Sequence, residues 1–123
     1  MRTSTDLRPL FEDIKSDDVD YVLLGEASHG TSDFYRWRTE ITTHLISNDG
    51  FSFIVVEGDW PDCYNVNRYV KGLPESKKVL TMYSIPLIGG QHGCGQIKIV
   101  NLVEWLREYN STIPEEKRVG FYG

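Results

Sequence analysis

The chain has 123 residues, enough for one small domain at most, and a formal net charge of −5. That negative balance argues against a nucleic-acid partner bound through its phosphates. The sequence shows no apolar signal core, no stretch of membrane-spanning length and no disulfide framework around its two cysteines. We therefore expect a cytoplasmic protein without a membrane partner.

The first predicted element is a short strand over residues 20–25, built on the apolar run YVLL. A continuous apolar run of this length is typical of a strand that is buried on both faces of a parallel sheet. The strand leads directly into Glu26, and His29 follows three residues later. An acid and an imidazole at the carboxyl end of a strand lie where parallel α/β folds place their chemistry.

A helix is predicted next, because apolar residues recur with helical period at Phe34, Trp37, Ile41 and Leu45. It begins near residues 31–33 and is stopped by the sequence NDG at residues 48–50. A second buried strand follows over residues 52–57 and also ends in an acid, Glu57. A strand–helix–strand crossover makes the two strands parallel, so Glu26 and Glu57 are expected at the same edge of the sheet.

Arg38 lies within the apolar stripe of this helix, at helical spacing from Phe34, Ile41 and Leu45. An unpaired buried cation is costly, and Glu26 or Glu57 would supply the opposite charge. The candidate cluster is therefore Glu26, His29, Arg38 and Glu57. Spacing alone supports equally an ordinary salt bridge that closes a sheet end, with a histidine that caps the helix.

Two more helices and a third parallel strand complete the predicted fold, which is an open, mainly parallel α/β sheet with flanking helices. One helix begins at Pro61 and ends at Gly72, and the other presents an apolar face made of Leu102, Val103, Leu106 and Tyr109. The third strand covers residues 118–122, and we expect its open edge to be an aggregation hazard. Trp60 and Tyr64 follow Glu57 and are candidate walls of a substrate pocket, although aromatic residues at strand ends are more often core.

Several strings resemble the erythromycin esterase family. They are LLGEASHGT (23–31), FYRWR (34–38), VVEGDWPD (55–62), VNRYVKG (66–72), VEWLR (103–107) and VGFYG (119–123). The resemblance implies a hydrolase that opens a macrolide lactone or another carboxylic ester without a cofactor. It makes His29 the general base that activates water, with Glu26, Glu57 and Arg38 around it. An imidazole titrates near neutral pH and suits that role.

Members of this family are much longer, and further active-site histidines lie in the part that is absent here. The resemblance therefore implies that residues 1–123 are the N-terminal fragment of a catalytic domain and are inactive alone. Two alternatives stay open: a non-catalytic metal- or porphyrin-binding domain, and a defunct gene fragment. A metal site is less favoured, because zinc sites usually contain more histidine.

Residues 85–98 depart from the family pattern, which has a tryptophan-rich string at this place. Synonymous codons can be chosen for residues 88–98 that spell that string when they are read one base out of frame. We interpret the departure as a pair of compensating frameshifts, and the alternative is a natural glycine-rich loop. The glycines do not form a phosphate loop, because no Gly-Lys-Ser/Thr follows them.

Overall fold

The computed structural model describes residues 7–25, 32–74 and 94–123, without the side chains of residues 32–35 and 94–98. Its elements in chain order are α1 (Arg8–Ser16), α2 (Ser32–Asp49), β1 (Phe53–Val55), α3 (Trp60–Val70), α4 (Cys94–Ser111), a 3₁₀ turn (Glu115–Lys117) and β2 (Gly120–Tyr122).

The predicted α/β class with a parallel sheet is confirmed. β1 and β2 pair in parallel, with Phe53 opposite Gly120, Ile54 opposite Phe121 and Val55 opposite Tyr122. The chain between the two strands contains α3 and α4, which supply the crossover that parallel pairing requires.

The helices agree with the sequence pattern at their ends. Gly50 follows α2 with a φ of 75°, and Gly72 follows α3 with a φ of 65°. This left-handed region favours glycine, which explains why both helices end there. α4 begins at Cys94, so residues 94–98 are helical although the sequence suggested a glycine-rich loop up to residue 98. Residues 85–93 lie outside the described part.

α1 was not predicted from the sequence. Pro9 lies in its first turn, where proline is tolerated because the first amide groups have no helical acceptor. Ile14 is its buried residue and contacts Ile41 and Leu45 of α2 in a small cluster. The helix therefore forms through one apolar stripe in an otherwise polar segment.

The predicted strand over residues 20–25 is wrong. This segment has no strand assignment, and no hydrogen bond between described residues joins it to β1. Leu23 is 92% exposed, whereas Val22 contacts the cluster of α1 and α2. The apolar run therefore has a packing partner on one side only, and an apolar run without an adjacent strand does not form a ladder.

β1 is also not buried on both faces, contrary to the sequence prediction. Its Ile54 contacts the main core, whereas Phe53 and Val55 are 48% and 64% exposed. The reason is that the described helices α3 and α4 cover one face of the sheet. The main core consists of Ile46, Cys63, Val66, Tyr69, Val70, Val103, Leu106, Val119 and Phe121.

Candidate functional site

The carboxyl edge of the sheet brings the ends of β1 and β2 to the start of α3. Glu57 follows β1 directly and is exposed. Gly123 follows β2, and a Cβ there would collide with Cys63 Sγ and lie 2.9 Å from Gly58 O. The end of β2 therefore packs closely on the loop after β1, and only glycine fits at this approach.

Trp60 and Tyr64 form an exposed aromatic stack on the first turns of α3. Their ring centroids are 5.4 Å apart with an interplanar angle of 15°. Trp60 is 67% exposed, so the pair is not part of the core. The Arg68 guanidinium lies 5.9 Å from the Tyr64 ring centroid and donates a 2.9 Å hydrogen bond to Pro74 O. Trp60, Tyr64 and Arg68 therefore lie along one face of α3. The first ring of the stack, Trp60, comes three residues after Glu57 in the chain.

Arg38 is half-buried on α2, in agreement with its place in the apolar stripe. Its Nη2 donates a 2.6 Å hydrogen bond to the backbone oxygen of Gly25. This partner was not foreseen from the sequence, which named only carboxylates. The bond holds the residue that immediately precedes Glu26 against α2. Glu26 and His29 themselves lie outside the described residues.

Cys63 places a thiol at this edge, where a Cβ on Gly123 would collide with its Sγ. It is 1% exposed. Burial raises the pKa of its thiol, and the negative charges of Asp62 and Asp59 raise it further. The thiol is therefore neutral near pH 7 and lacks the thiolate character of a catalytic cysteine.

In residues 7–25, 32–74 and 94–123, no group of three or more histidine, cysteine or acidic residues is arranged to hold a metal ion. The predicted cluster includes Glu26 and His29, which lie outside these ranges. Among the described helices, none is long and apolar enough to cross a membrane.

Two asparagines that sequence reasoning missed hold β2 in place. Asn110 is 1% exposed, and its Nδ2 donates to Val70 O and Val119 O at 2.9 Å each. Its Oδ1 accepts a 2.7 Å bond from Val119 N. Asn67 Oδ1 accepts a 2.9 Å bond from Phe121 N. The available signal was a polar residue at position 110, at helical spacing from Val103 and Leu106 on the buried face of α4.

Comparisons with known proteins agree with this architecture. The crystal structure of a succinoglycan biosynthesis protein superposes with a TM-score of 0.76 and 24% sequence identity. The match covers 99% of this chain and 28% of that protein, so the chain spans little more than a quarter of its length. The sequence model described as erythromycin esterase matches residues 46–123, which include Glu57, the aromatic stack and β2. This match extends over more than half of the chain, and the chain therefore belongs to the erythromycin esterase family.

Proposed function

We propose that the chain carries part of the active site of a hydrolase that opens a macrolide lactone or another carboxylic ester with a water molecule activated by His29. The observation that carries the proposal is the 2.6 Å bond from Arg38 Nη2 to Gly25 O. It ties α2 to the residue before Glu26 and so joins two of the strings that resemble the family, FYRWR (34–38) and LLGEASHGT (23–31). Family membership supports the same chemistry.

The proposed roles follow from residue chemistry. His29 takes a proton from water, and the resulting hydroxide attacks the ester carbonyl to give a tetrahedral intermediate. Collapse of that intermediate expels the alkoxide, which receives the proton from the imidazolium. Glu26 and Glu57 orient the imidazole and stabilise its positive charge, as a carboxylate does beside a catalytic histidine. Arg38 orders these carboxylates.

Trp60 and Tyr64 are proposed to bind the substrate. The exposed stack of two rings offers an apolar surface that begins three residues after Glu57 in the chain, and a large lactone ring has an apolar face that fits it. Arg68, bonded to Pro74 O, limits the freedom of the Tyr64 end of the stack. A small-molecule ester is the substrate class that this surface suits.

We further propose that residues 1–123 form the N-terminal fragment of an erythromycin esterase-like catalytic domain and have no turnover alone. Two observations support this proposal. The matched solved protein is more than three times longer than the stretch it shares with this chain, and β1 presents exposed apolar side chains where a complete α/β sheet is covered.

The test is a chimera in which residues 1–123 replace the corresponding part of a full-length erythromycin esterase family enzyme. We expect the chimera to open lactones or esters, which mass spectrometry detects as the gain of one water. His29→Ala should abolish this gain. His44→Gln is the matched control, because His44 lies on α2, stacks on Phe11 and has no proposed role in the reaction.

Equal turnover by the chimera and its His29→Ala variant would contradict the proposed base. Turnover by residues 1–123 alone would contradict the fragment proposal and leave the chemistry intact. Treatment of the chimera with a strong chelator should not change its rate, and a loss restored by Zn²⁺ would reverse the metal-independent assignment. Stoichiometric uptake of a metal or porphyrin without any product would favour the non-catalytic alternative.

A further inference from the structure

Residues 19–25 lead from α1 to Glu26, and the burial of this 19–25 segment has a period of three. Val19 and Val22 are half-buried, whereas the residues between and after them are exposed. Strands show a period of two, so this pattern agrees with the absence of a strand here. A period of three directs residues 19, 22 and 25 to the same side of the segment.

The first two of these residues make apolar contacts. Val19 and Val22 pack against the cluster of Ile14 from α1 and Ile41 and Leu45 from α2. α1 has nine residues, which is too short for a stable isolated helix, so its position depends on this cluster. The two valines and α1 therefore stabilise one another on α2.

The third residue, Gly25, makes a polar contact with the same helix. Arg38 Nη2 donates its 2.6 Å hydrogen bond to Gly25 O, at the end of the segment. Arg38 precedes Ile41 by three residues, so the polar and apolar contacts come from neighbouring turns on one face of α2. The 19–25 segment is thus attached to α2 at its start, its middle and its end.

Phe51 connects this arrangement to the strand that leads to Glu57. It packs against the cluster of α1 and α2 and also against the main core, and its backbone N donates a 3.3 Å bond to Leu45 O. β1 begins two residues later, at Phe53. The segment that precedes Glu26 and the strand that precedes Glu57 are therefore both fixed to α2.

On the basis of the proposed function, we propose that Val22 is a positioning residue of the hydrolysis, because it fixes the point from which the chain continues to Glu26 and His29. Consecutive Cα atoms are about 3.8 Å apart, so a fixed Gly25 restrains the Cα of Glu26 to that radius. His29 comes three residues before the start of α2 at Ser32. A fixed Gly25 therefore restrains the chain around His29 from both sides instead of from one.

Val22→Ala in the chimera of residues 1–123 with a family enzyme tests the proposal. Its kcat should fall about tenfold with KM unchanged, because a misplaced catalytic group weakens transition-state stabilisation and not substrate binding. Val22→Ile keeps the apolar contact and should keep the parent kcat. Leu23→Ala is the matched control in the same segment, because Leu23 is 92% exposed, and it should leave kcat unchanged.

Val103→Ala separates positioning from a general loss of stability. Val103 is 3% exposed and belongs to α4 and the main core, whereas the contacts of the 19–25 segment come from α1 and α2. At a temperature where circular dichroism shows both variants fully folded, Val103→Ala should keep the parent kcat. An equal fall in kcat for Val103→Ala and Val22→Ala, or an unchanged kcat for Val22→Ala, would overturn the proposal. If Val22→Ala does not fold, Val22→Thr, which has the same shape but carries a hydroxyl, takes its place.

A second measurement on the 123-residue chain needs no turnover. The nuclear magnetic resonance order parameter of the Gly25 amide should be lower in Val22→Ala than in the wild type and in Leu23→Ala. Equal values in all three chains would refute the positioning role, whether or not the chimera is active. Turnover that does not require His29 would contradict the proposed base and leave the result at Gly25 unaffected.

Discussion

β1 and β2 are equally long and arise from similar apolar sequence, yet their surroundings differ. Phe121 of β2 is 1% exposed, and Val119 just before the strand is buried as well, whereas Phe53 of β1 is about half exposed. The helices that follow β1 fold over the face of Ile54 and Phe121, and their asparagines reach the far edge of β2. The burial of each side chain is therefore set by the face of the sheet on which it lies: Phe121 shares the helix-covered face with Ile54, whereas Phe53 lies on the opposite face with Tyr122, which is also exposed.

Replacing Phe121 and Phe53 by alanine, one at a time, tests this comparison with the largest expected change in the free energy of unfolding. Phe121→Ala should lower the free energy of unfolding by about 3 to 5 kcal/mol, because it leaves a cavity between α3 and α4. Phe53→Ala removes the same side chain from the exposed face and should cost less than about 1 kcal/mol. Urea unfolding followed by circular dichroism measures both.

The two substitutions are each other's control, because the residues and strand lengths are the same. Similar losses of stability in both variants would contradict the unequal burial of the two faces of the sheet.

Asn110→Ala removes the side chain that bonds the backbone of Val119 beside β2 and should lower the free energy of unfolding by about 3 kcal/mol. It removes the bonds to Val70 O, Val119 O and Val119 N, and all three backbone groups stay buried without the asparagine. Asn48→Ala is the matched control, because Asn48 is exposed and donates to His44 O within its own helix, α2. Chemical unfolding of the two variants should separate them clearly, and equal stability would show that water replaces the Asn110 bonds.

Much of the fold was predictable from local signals. α2 and α3 carry helical periodicity and end at glycines with positive φ, and the apolar runs at β1 and β2 agree with short parallel strands. The strand at residues 20–25 was wrong because an apolar run does not reveal its pairing partner. In this segment only Val22 packs against the cluster of α1 and α2 among the residues of the apolar run. Strand pairing depends on contacts between residues that are distant in sequence.

The candidate site was predictable to a smaller extent. The position of Glu57 at the carboxyl end of β1 follows from strand and crossover rules, and the inward position of Arg38 follows from helical spacing. The bond from Arg38 to Gly25 O could not be foreseen, because any backbone carbonyl satisfies a guanidinium and none is marked in sequence. The hydrogen bonds from Asn67 and Asn110 to the β2 segment depend on how α3, α4 and β2 are placed relative to one another. Spacing along one helix does not give that placement.

Tyr69 belongs to α3, one of the two helices that cover Phe121 of β2. Its hydroxyl donates to Glu104 Oε1 at 2.9 Å, and Arg107 donates to Tyr69 O and packs on the ring, so α3 and α4 are joined here. Tyr69→Phe should cost about 1.5 kcal/mol near neutral pH, because it removes a hydrogen bond to a charged group. Denaturant unfolding at several pH values measures this.

The pH dependence of the Tyr69 effect has a defined sign. Burial raises the pKa of Tyr69, and the hydrogen bond to Glu104 and its negative charge add to the rise, while Arg107 acts in the opposite direction. A raised pKa in the folded state means that the contribution is complete below about pH 10 and is lost as pH rises through the folded value. The gap between wild type and Tyr69→Phe should therefore shrink at alkaline pH. Tyr21→Phe, at an exposed position, is the matched control and should leave the free energy of unfolding near neutral pH unchanged.

The smallest expected effect concerns Gly120, where β2 lies against its own Tyr122 ring. A Cβ at this position would lie 2.5 Å from Cε2 of Tyr122, whose hydroxyl accepts a 3.3 Å bond from Lys71 Nζ. Because the colliding atoms belong to a side chain that can rotate outward, Gly120→Ala should cost less than about 1 kcal/mol. In a Tyr122→Ala background the same change should be neutral or slightly stabilising, since alanine restricts the unfolded chain more than glycine does. A double-mutant cycle by urea unfolding measures the difference, and an equal cost in both backgrounds would locate the strain in the β2 backbone instead of the ring.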